Sequence, residues 1–407
     1  MDWSKKLPKM LAGEELKKAM MDVPEYMDTV REEDAATRLM QLSDLYKIYY
    51  PSKMSMEIYT KLYLALSMSL KKKNTRLAVQ QQKENSFGMR TKEYRGIIGG
   101  SDSASIIGIS GVGKSSAIAR SIELITDNRL IEVEEPYVKI VPILQVQCPF
   151  DASPKGMLLE ILRTADEYLG SSYYRSGTRN GTTTDVLIGL VAQVCLNHLG
   201  VLVIDEIQHV IKHRNGHLLI GVLMQLINCS GVSVFLVGTP ECIPFFEAET
   251  QLARRSLGLK YSELPYDEYF IEFCRLLFQF QYTKEKAELT DGIIAWLYEH
   301  SGGVTANVVT LVHDAQEVAI INGSERMDIA NFNEAYNSRM GMLHSKIVID
   351  KVKKSSATKK CKTEIVSVEL PELKDISIEN IINEAKDKGI DVVKHLRQYI
   401  SVQEVSV

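Results

Sequence analysis

The nine residues GISGVGKSS, at positions 108–116, have the types and spacing of a phosphate-binding loop. Its glycines would let the backbone approach a phosphate closely, because a Cβ there would clash or forbid the required dihedral angles. Lys114 would bring its charge to the β- and γ-phosphates of ATP, and the Ser115 hydroxyl would bind Mg²⁺. An apolar run before the loop and a helical pattern after it favour this site over a chance glycine-rich turn. The other loop residues assigned to the nucleotide are Gly108, Ser110, Gly111, Val112, Gly113 and Ser116.

A pair of carboxylates, Asp205 and Glu206, ends the apolar segment VLVIDE. Asp205 would order the Mg²⁺ ion through water, and Glu206 is the natural base to orient and polarise an attacking water. A helix N-cap is the competing interpretation, since acidic residues favour the first turn of a helix. The phosphate-binding loop upstream favours nucleotide hydrolysis, so the two motifs together predict an ATPase.

Polar residues at two further places could complete such a site. Thr239 ends the next apolar run, VFLVGTPE, where it would lie between the other two motifs and sense the γ-phosphate. A plain β-turn is the alternative there, because Gly-Thr-Pro is good turn chemistry. Arg254 and Arg255, in QLARRSLG, could reach the γ-phosphate of a neighbouring subunit as an arginine finger. The sequence does not say which of them does so, and in a monomer they would be a solvated pair.

Basic residues near these motifs are candidates for contact with a DNA backbone, although a single such residue is more often a solvated charge. The candidates are Lys139, Lys155, Arg175, Arg179, Lys212, His213 and Arg214. His209, His213 and His217 recur every four residues, a spacing that could suggest metal ligands on a helix. Asn215 and Gly216 interrupt that helix, so the sequence favours a basic, exposed segment over a metal site.

Short β-branched apolar runs alternate with helical patterns between residues 96 and 340, which is typical of a parallel α/β sheet. The predicted strands cover residues 103–110, 139–148, 201–205 and 232–240. The predicted helices cover residues 114–125, 155–169, 185–199 and 218–229. Pro142 cannot donate a ladder hydrogen bond, so we expect the strand 139–148 at an edge of the sheet.

The chain has 407 residues, of which 45% are hydrophobic and 25% charged, and its formal net charge is −4. This composition suits a soluble protein with a large core and two or three folding units. The negative balance excludes a globally basic nucleic-acid binder, so any DNA contact must come from local patches. Six scattered cysteines without a CxxC pair argue against zinc and disulfide frameworks. With no signal-peptide pattern and no unbroken apolar span, we expect a cytoplasmic protein that does not enter membranes.

The composition changes along the chain. Residues 1–95 are polar and helix-prone, and they end in the charged, Gln-rich stretch KKKNTRLAVQQQKENSF, which is typical of a linker or an exposed helix. Residues 346–407 begin with a Lys- and Ser-rich tether and end in a pattern that predicts a short amphipathic helix. A flexible arm that carries a helix is a common way to capture a partner.

Several segments resemble the TnsC branch of AAA+ transposition regulators, relatives of TniB and MuB. They are VLVIDEIQHV, VSVFLVGTPE and QLARRSLG, together with CPFDASPKGMLLEILRTADEYLGSSY and EHSGGVTANVVTLVHDAQEVAIINGSERMD. The resemblance covers residues from about 50 to 335. It implies an α/β fold of the AAA+ P-loop ATPase class, with a parallel sheet in the order 5-1-4-3-2. The nucleotide-binding core would span residues 96–285, and a small helical lid would span residues 286–345.

The resemblance also implies ATP-driven oligomerisation on double-stranded DNA, as rings or helical filaments that contact the backbone without sequence preference. The oligomer would connect a target-selection protein, DNA-binding or RNA-guided, to a DDE transposase, and ATP hydrolysis would reset it. Beyond the resemblance, we expect residues 1–95 to contact the selector or to pack in the oligomer, and residues 346–407 to contact the transposase or a nuclease subunit that works with it. By motif, the nucleotide site consists of Lys114, Ser115, Asp205, Glu206 and Thr239, with Arg254 or Arg255 acting in trans.

One departure from the family pattern concerns the lid. Many AAA+ proteins have an arginine in a lid helix that contacts the γ-phosphate, whereas the stretch SGGVTANVV has Thr305 and Asn307 and no arginine. This fits slow, switch-like hydrolysis better than a fast motor. The main alternative function is an AAA+ helicase loader or replication initiator, although residues 346–407 do not resemble the winged-helix domain of an initiator. A non-hydrolysing scaffold is a third possibility, against which Glu206 argues.

Overall fold

A computed structural model describes residues 3–73, 75–99, 103–127, 129–135, 137–248 and 256–341, without the side chains of residues 212, 248, 256 and 257. All of these residues fall within one compact unit of the chain, residues 1–352. The predictions for Arg254, Arg255 and residues 346–407 therefore lie outside the described residues. Within the described part, no helix combines the length and the hydrophobicity that a membrane span requires.

Six strands form one sheet in the order β2-β3-β4-β5-β1-β6. They are β1 (Ser103–Gly108), β2 (Ile131–Glu134), β3 (Tyr137–Gln147), β4 (Leu199–Asp205), β5 (Ser233–Gly238) and β6 (Ser256–Tyr261). Five strands are parallel, and β2 pairs antiparallel with β3. Numbered without β2, the parallel strands have the expected order 5-1-4-3-2, so the prediction of an AAA+ P-loop ATPase fold is confirmed.

The prediction that the strand with Pro142 lies at the sheet edge needs a correction. A short strand, β2, covers the start of β3, with Ile131 opposite Ile140 as the last pair. From Val141 onward β3 pairs with β4 alone, so Pro142 lies where the outer side of β3 has no strand partner. The missing N–H of proline thus restricts the length of β2 rather than the position of β3.

The α-helices of the described residues are α1 (Gly13–Met20), α2 (Ala35–Gln41), α3 (Lys53–Lys73), α4 (Arg76–Thr91), α5 (Lys114–Thr126), α6 (Pro154–Leu169), α7 (Tyr173–Gly177), α8 (Thr184–His198), α9 (His209–Lys212), α10 (Gly216–Ser230), α11 (Ile243–Ala248), α12 (Glu268–Leu277), α13 (Asp291–Ser301), α14 (Thr305–Ile321) and α15 (Ile329–Arg339). Side-chain caps begin many of them: the hydroxyls of Ser153 and Thr183 accept from backbone N–H groups in the first turns of α6 and α8. The Gln-rich stretch is helix α4, with a buried face, and is not a linker.

The two faces of the sheet bury different sets of helices, because successive strand residues point to opposite sides. Leu202 and Ile204 of β4 join a core with α6, α8 and α10. Val201 and Val203 join a second core with α3 and α5. Helix α4 packs on the outside of α8, where the Gln193 amide donates to the carbonyl of Gln82. The sheet is therefore covered on both faces, as its fully buried central strands require.

The N-terminal residues pack on both the sheet and the C-terminal helices. Trp3 and Leu16 belong to the core around α3 and α5. Leu42 and Leu45 belong to a third core, formed with α12, α13, α14 and α15. Arg38, only 1% exposed, donates to both carboxylate oxygens of Glu325, at 2.7 and 2.6 Å. This ion pair lowers the pKa of Glu325, and it ties the N-terminal segment to the loop between α14 and α15.

A buried lysine ends helix α3. Lys73 donates to the carbonyls of Cys195 and Leu196, each at 2.8 Å, in the last turn of α8. The Cys195 carbonyl also accepts from the N–H of the C-cap residue Leu199, so the lysine adds a donor to the last turn of α8 just before β4 begins. Burial lowers the pKa of Lys73 to about 7, because the interior disfavours the ammonium form.

We predict that Lys73 makes the stability of the fold depend on pH between neutral and alkaline conditions. Below pH 7 both states hold the proton, whereas between about pH 7 and pH 10.4 the unfolded chain alone holds it. The free energy of unfolding should therefore rise with pH, by at most about 1.4 kcal/mol per pH unit. Urea unfolding of the wild type and Lys73→Met, compared between about pH 7.5 and pH 9, should show the difference moving in favour of the wild type.

Other titrating groups cancel in that comparison, because both proteins contain them. Lys73→Arg is the matched control, since its guanidinium stays charged throughout this range. A wild-type advantage that does not change with pH would show that the buried amine keeps its proton.

Candidate functional site

The glycine-rich loop connects the end of β1 to the start of α5. Gly111 and Gly113 have φ of 83° and 94°, a region that favours glycine. A Cβ on Gly111 would also lie 2.9 Å from Cγ1 of Val304, at the start of the lid helix α14. Val112 is 6% exposed and anchors the loop in the core around α3 and α5. The two glycines thus leave the loop backbone without side chains, while the Val112 side chain attaches the loop to the core.

The Lys114 ammonium lies within the curve of this loop. Its Nζ donates to the carbonyls of Gly108 and Ile109, at 2.7 and 2.9 Å. Burial lowers the pKa of Lys114, and the nearby carboxylates of Asp205 and Glu206 oppose that effect. The lysine therefore sits where the charge of a phosphate would compensate for its partial burial.

Ser115 and Asp205 lie side by side, although 90 residues separate them in the chain. The Ser115 hydroxyl donates to Oδ2 of Asp205 at 2.9 Å. Asp205 is 7% exposed and ends β4, where the N–H of Cys148 donates to its carbonyl. A hydroxyl and a carboxylate at contact distance are oxygen donors of the kind that Mg²⁺ prefers. The two predicted metal-binding residues are thus brought together.

Glu206 follows Asp205 with an unusual backbone and an exposed side chain. Its φ is 58°, in the left-handed region, and its N–H donates to Oδ1 of Asp205 at 2.9 Å. Its carboxylate accepts a hydrogen bond from the side-chain amide of Gln208. Gln208 could not be predicted from the sequence, because a glutamine two residues after a carboxylate has no motif of its own. The amide therefore occupies one oxygen of the predicted base.

Thr239 follows β5, which lies between β1 and β4 in the sheet. Its Oγ1 is buried and has no hydrogen-bond partner among the described residues. It makes no side-chain cap to the short helix Pro240–Cys242 that follows, so the turn does not use the hydroxyl. A buried hydroxyl without a partner is costly, and a bound phosphate or water would satisfy it.

These groups border a single cavity of about 920 Å³. The loop residues Ser110–Ser116 line one side together with Asp205, Glu206, Gln208 and Thr239. Residues before the sheet line another side, which the sequence did not reveal; they include Tyr49, Tyr50 and Met54. A cavity of this size, polar at one end and aromatic at the other, fits a nucleotide.

The predicted lid region touches the loop directly at the start of α14. Thr305 Oγ1 and the N–H of Ala306 both donate to the carbonyl of Gly111, at 2.8 and 3.1 Å. Asn307 instead donates to the carbonyl of Ser301, within the lid. No arginine is among the described residues that line the cavity. Thr305, in the stretch where many AAA+ proteins have an arginine, thus binds the backbone of the loop.

The three histidines at four-residue spacing do not converge. His209 Nδ1 pairs with the carbonyl of Cys148 at 3.0 Å, His213 lies edge-on to Phe150, and His217 lies against Phe245. Their different partners do not form one ligand set. The predicted DNA-contact residues Arg175, Arg179 and Arg214 are exposed, as is Lys155. Lys139 is half-buried and pairs with Glu132 at 3.9 Å, which leaves it less available.

Residues 97–246 match the AAA domain family. No curated protein matches the chain. Among solved structures, the chain is similar to the ORC1 protein of Aeropyrum pernix in complex with DNA, at 16% identity and a TM-score of 0.41. That likeness covers 64% of this chain and 63% of the other, so this chain spans less than two thirds of that protein.

Two further structures are similar at the same level. The Walker-type ATPase paby2304 of Pyrococcus abyssi has 12% identity and a TM-score of 0.40, over 66% of this chain and 73% of the other. Drosophila ORC bound to DNA has 11% identity and a TM-score of 0.38, over 88% of this chain and 83% of the other. Likenesses of this size do not carry the ligands of those proteins over to this chain. The chain contains an AAA domain, and the loop, the carboxylate pair and Thr239 all lie within it.

Proposed function

We propose that this protein binds ATP with Mg²⁺ and hydrolyses it slowly, as a switch that controls an oligomer on double-stranded DNA during transposition. One observation carries the hydrolytic part of the proposal. The carboxylate of Glu206 stands beside the loop and Asp205 but is engaged by Gln208. In this proposal Glu206 is the base, and Gln208 is the side chain that restrains it.

The residues at the cavity fit Mg²⁺ and ATP by their chemistry. Lys114 is a cation beside the loop, and Ser115 with Asp205 offers two adjacent oxygen donors. The buried hydroxyl of Thr239 lacks a partner among the described residues and can donate to an anion. Bound Mg²⁺ would supply charge neutralisation between the β- and γ-phosphates.

Each of these residues has a separate task in hydrolysis. Lys114 stabilises phosphate charge, and Asp205 accepts from Ser115 and so orients its hydroxyl. Glu206 orients a water and takes its proton once its carboxylate leaves Gln208. Thr239, between the two motifs, reports the presence of the terminal phosphate to β5. The restraint on Glu206 makes turnover slow until a partner relieves it.

A neighbouring subunit would complete the site. The cavity wall formed by the described residues contains no arginine, and phosphoryl transfer gains much of its rate from such a cation. Arg254 or Arg255 of the next subunit would supply it, which makes a ring or a helical filament the active form. A resemblance to TnsC-type regulators supports this assembly, DNA as the track, and contacts with a target-selection protein and a DDE transposase.

We predict that two substitutions separate ATP binding from ATP hydrolysis. Lys114→Ala should abolish the rise in melting temperature that Mg²⁺ and ATP cause, because the main phosphate charge partner is lost. Glu206→Gln should keep that rise and lower kcat by roughly 100-fold or more, because a general base is worth that much. Glu241→Gln, which changes a nearby exposed carboxylate outside the cavity wall, is the control. Normal turnover by Glu206→Gln would contradict the assignment of the base.

A second prediction concerns the restraint on Glu206. Gln208→Met keeps the side-chain length but removes the amide donor, so it should raise kcat in the absence of DNA by roughly tenfold. Gln80→Met, at an exposed position on α4, should leave kcat unchanged. Phosphate release at saturating ATP measures both. A fall in kcat with Gln208→Met would mean that Gln208 supports catalysis instead of restraining it.

The oligomer and its role can be tested together. With duplex DNA and a non-hydrolysable ATP analogue, electron microscopy should show rings or filaments around the duplex, and ADP should not support them. In a reconstituted transposition reaction with a DDE transposase, the wild type should stimulate insertion and Lys114→Ala should not. Isolated monomers on DNA would contradict the proposed assembly. If the protein loads a replicative helicase instead, its function is that of a helicase loader and not of a transposition regulator.

A further inference from the structure

The exposed face of α4 has a charge pattern that the nucleotide site does not explain. The helix contains three Lys or Arg residues and one Glu residue, in a chain whose net charge is −4. Arg76, Lys83 and Arg90 are all exposed. Among the described residues, none of these three forms an ion pair. Three exposed cations without an ion pair, on one helix of an acidic protein, indicate an anionic partner.

The three cations lie in a line along the helix. Seven residues separate each from the next, which is close to two full turns, so their directions differ by only about 20°. The buried residues Ala78 and Asn85 point to the opposite side, into the contact with α8 and α10. Neighbouring charges are about 10 Å apart along the axis, and the line is about 21 Å long.

Buried hydrogen bonds hold this helix in place. Asn85 Nδ2 donates to the carbonyl of Cys229 at the end of α10, and Gln81 Nε2 donates to Asn85 Oδ1, both at 2.9 Å. Gln81 Oε1 accepts from the N–H groups of Ile97 and Ile98, in the connection to β1. Because each polar group inside has a partner, the cations outside are carried on a rigid support.

The carboxyl end of α4 lies beside another exposed basic segment. The Tyr94 hydroxyl donates to the carbonyl of Asp185, in the first turn of α8. The loop just before α8 carries Arg179, which is exposed.

We infer that the exposed face of α4, with Arg76, Lys83 and Arg90 in line, binds the phosphate backbone of double-stranded DNA. This inference rests on the proposed DNA-bound oligomer and names the surface that would contact the duplex. A spacing of about 10 Å is close to the width of the major groove, about 12 Å, so successive cations reach phosphates on either side of it. Positive charges at a regular spacing along a helix match the regular spacing of the phosphates along a duplex.

An acidic protein partner fits this face less well. Stable protein interfaces need an apolar centre, whereas the exposed apolar neighbours in this line, Val79 at 54% and Phe87 at 57% exposure, are single side chains set between the cations. A single aromatic ring between Lys83 and Arg90 can instead contact the sugars of a groove edge. Since phosphates carry no sequence information, binding through this face is independent of sequence.

The test removes the three charges together. The variant Arg76→Gln, Lys83→Gln, Arg90→Gln changes only exposed positions, and its melting temperature checks the fold. With a labelled duplex of mixed sequence and a non-hydrolysable ATP analogue, fluorescence anisotropy gives the affinity across a series of salt concentrations. The slope of log K against log salt should become shallower by about 3, and the affinity at low salt should fall on the order of 100-fold.

A matched control removes the same charge elsewhere. Lys5→Gln, Lys6→Gln, Lys9→Gln alters three exposed lysines near the N-terminus and should leave the slope unchanged. Phe87→Ala should lower the affinity without changing the slope, because it removes an uncharged contact. DNA-independent ATPase activity should be the same in all of these proteins, since none of the positions lines the nucleotide cavity.

The outcomes separate this inference from the function on which it rests. If the wild type binds duplex and the α4 triple variant binds with the same slope and affinity, the inference is wrong and the proposed function stands. If the wild type does not bind duplex in any nucleotide state, the proposed function fails as well. If the triple variant keeps its DNA affinity but loses binding to poly(glutamate), an acidic protein is the partner of this face and the inference is overturned.

Discussion

The hydrogen bond from Ser115 to Asp205 joins the first turn of α5, which follows β1, to the end of β4, and β1 and β4 are not neighbours in the sheet. Strand β5 lies between β1 and β4, so the bond forms only if all three strands end at the same level. The parallel register provides this, with Ile107 opposite Gly238 and Ile204 opposite Leu236. A slip of one residue would turn Asp205 to the other face and break the site. The two cores on either side of the sheet therefore serve to keep this register.

The second requirement of the site comes from outside the sheet. Tyr49 and Tyr50 line the cavity, yet they precede the first strand by more than fifty residues. Backbone hydrogen bonds pair Tyr49 with Asp22, and the Tyr269 hydroxyl donates to the carbonyl of Tyr50. The N-terminal region therefore forms part of the wall of the nucleotide cavity and also packs on the predicted lid. Its folding cannot be separated from the formation of the site.

The sequence predicted the parts of the fold that depend on local pattern. The loop, the strand before Asp205 and the strand before Thr239 each have an apolar run that ends in a polar residue, and parallel strands bring such ends to one edge. It did not predict strand β2, because IEVE is too short and too polar to stand out. It also did not predict Gln208, whose importance comes from a side-chain contact, or Arg38, whose partner Glu325 is 287 residues away. The residues next to Arg38 or Glu325 in the sequence do not indicate a contact between positions so far apart in the chain.

Glu206 shows how the site combines a rigid backbone with an adjustable side chain. A non-glycine residue in the left-handed region costs roughly 1–2 kcal/mol, so its surroundings must hold it there. Two hydrogen bonds do so: its own N–H donates to Asp205, and the N–H of Ile207 donates to the carbonyl of Val237 in β5. The carboxylate itself is exposed, and its hydrogen-bond partner in the described part of the chain is Gln208. Under the proposed function, a partner activates hydrolysis by moving the Gln208 side chain, with no change in the sheet.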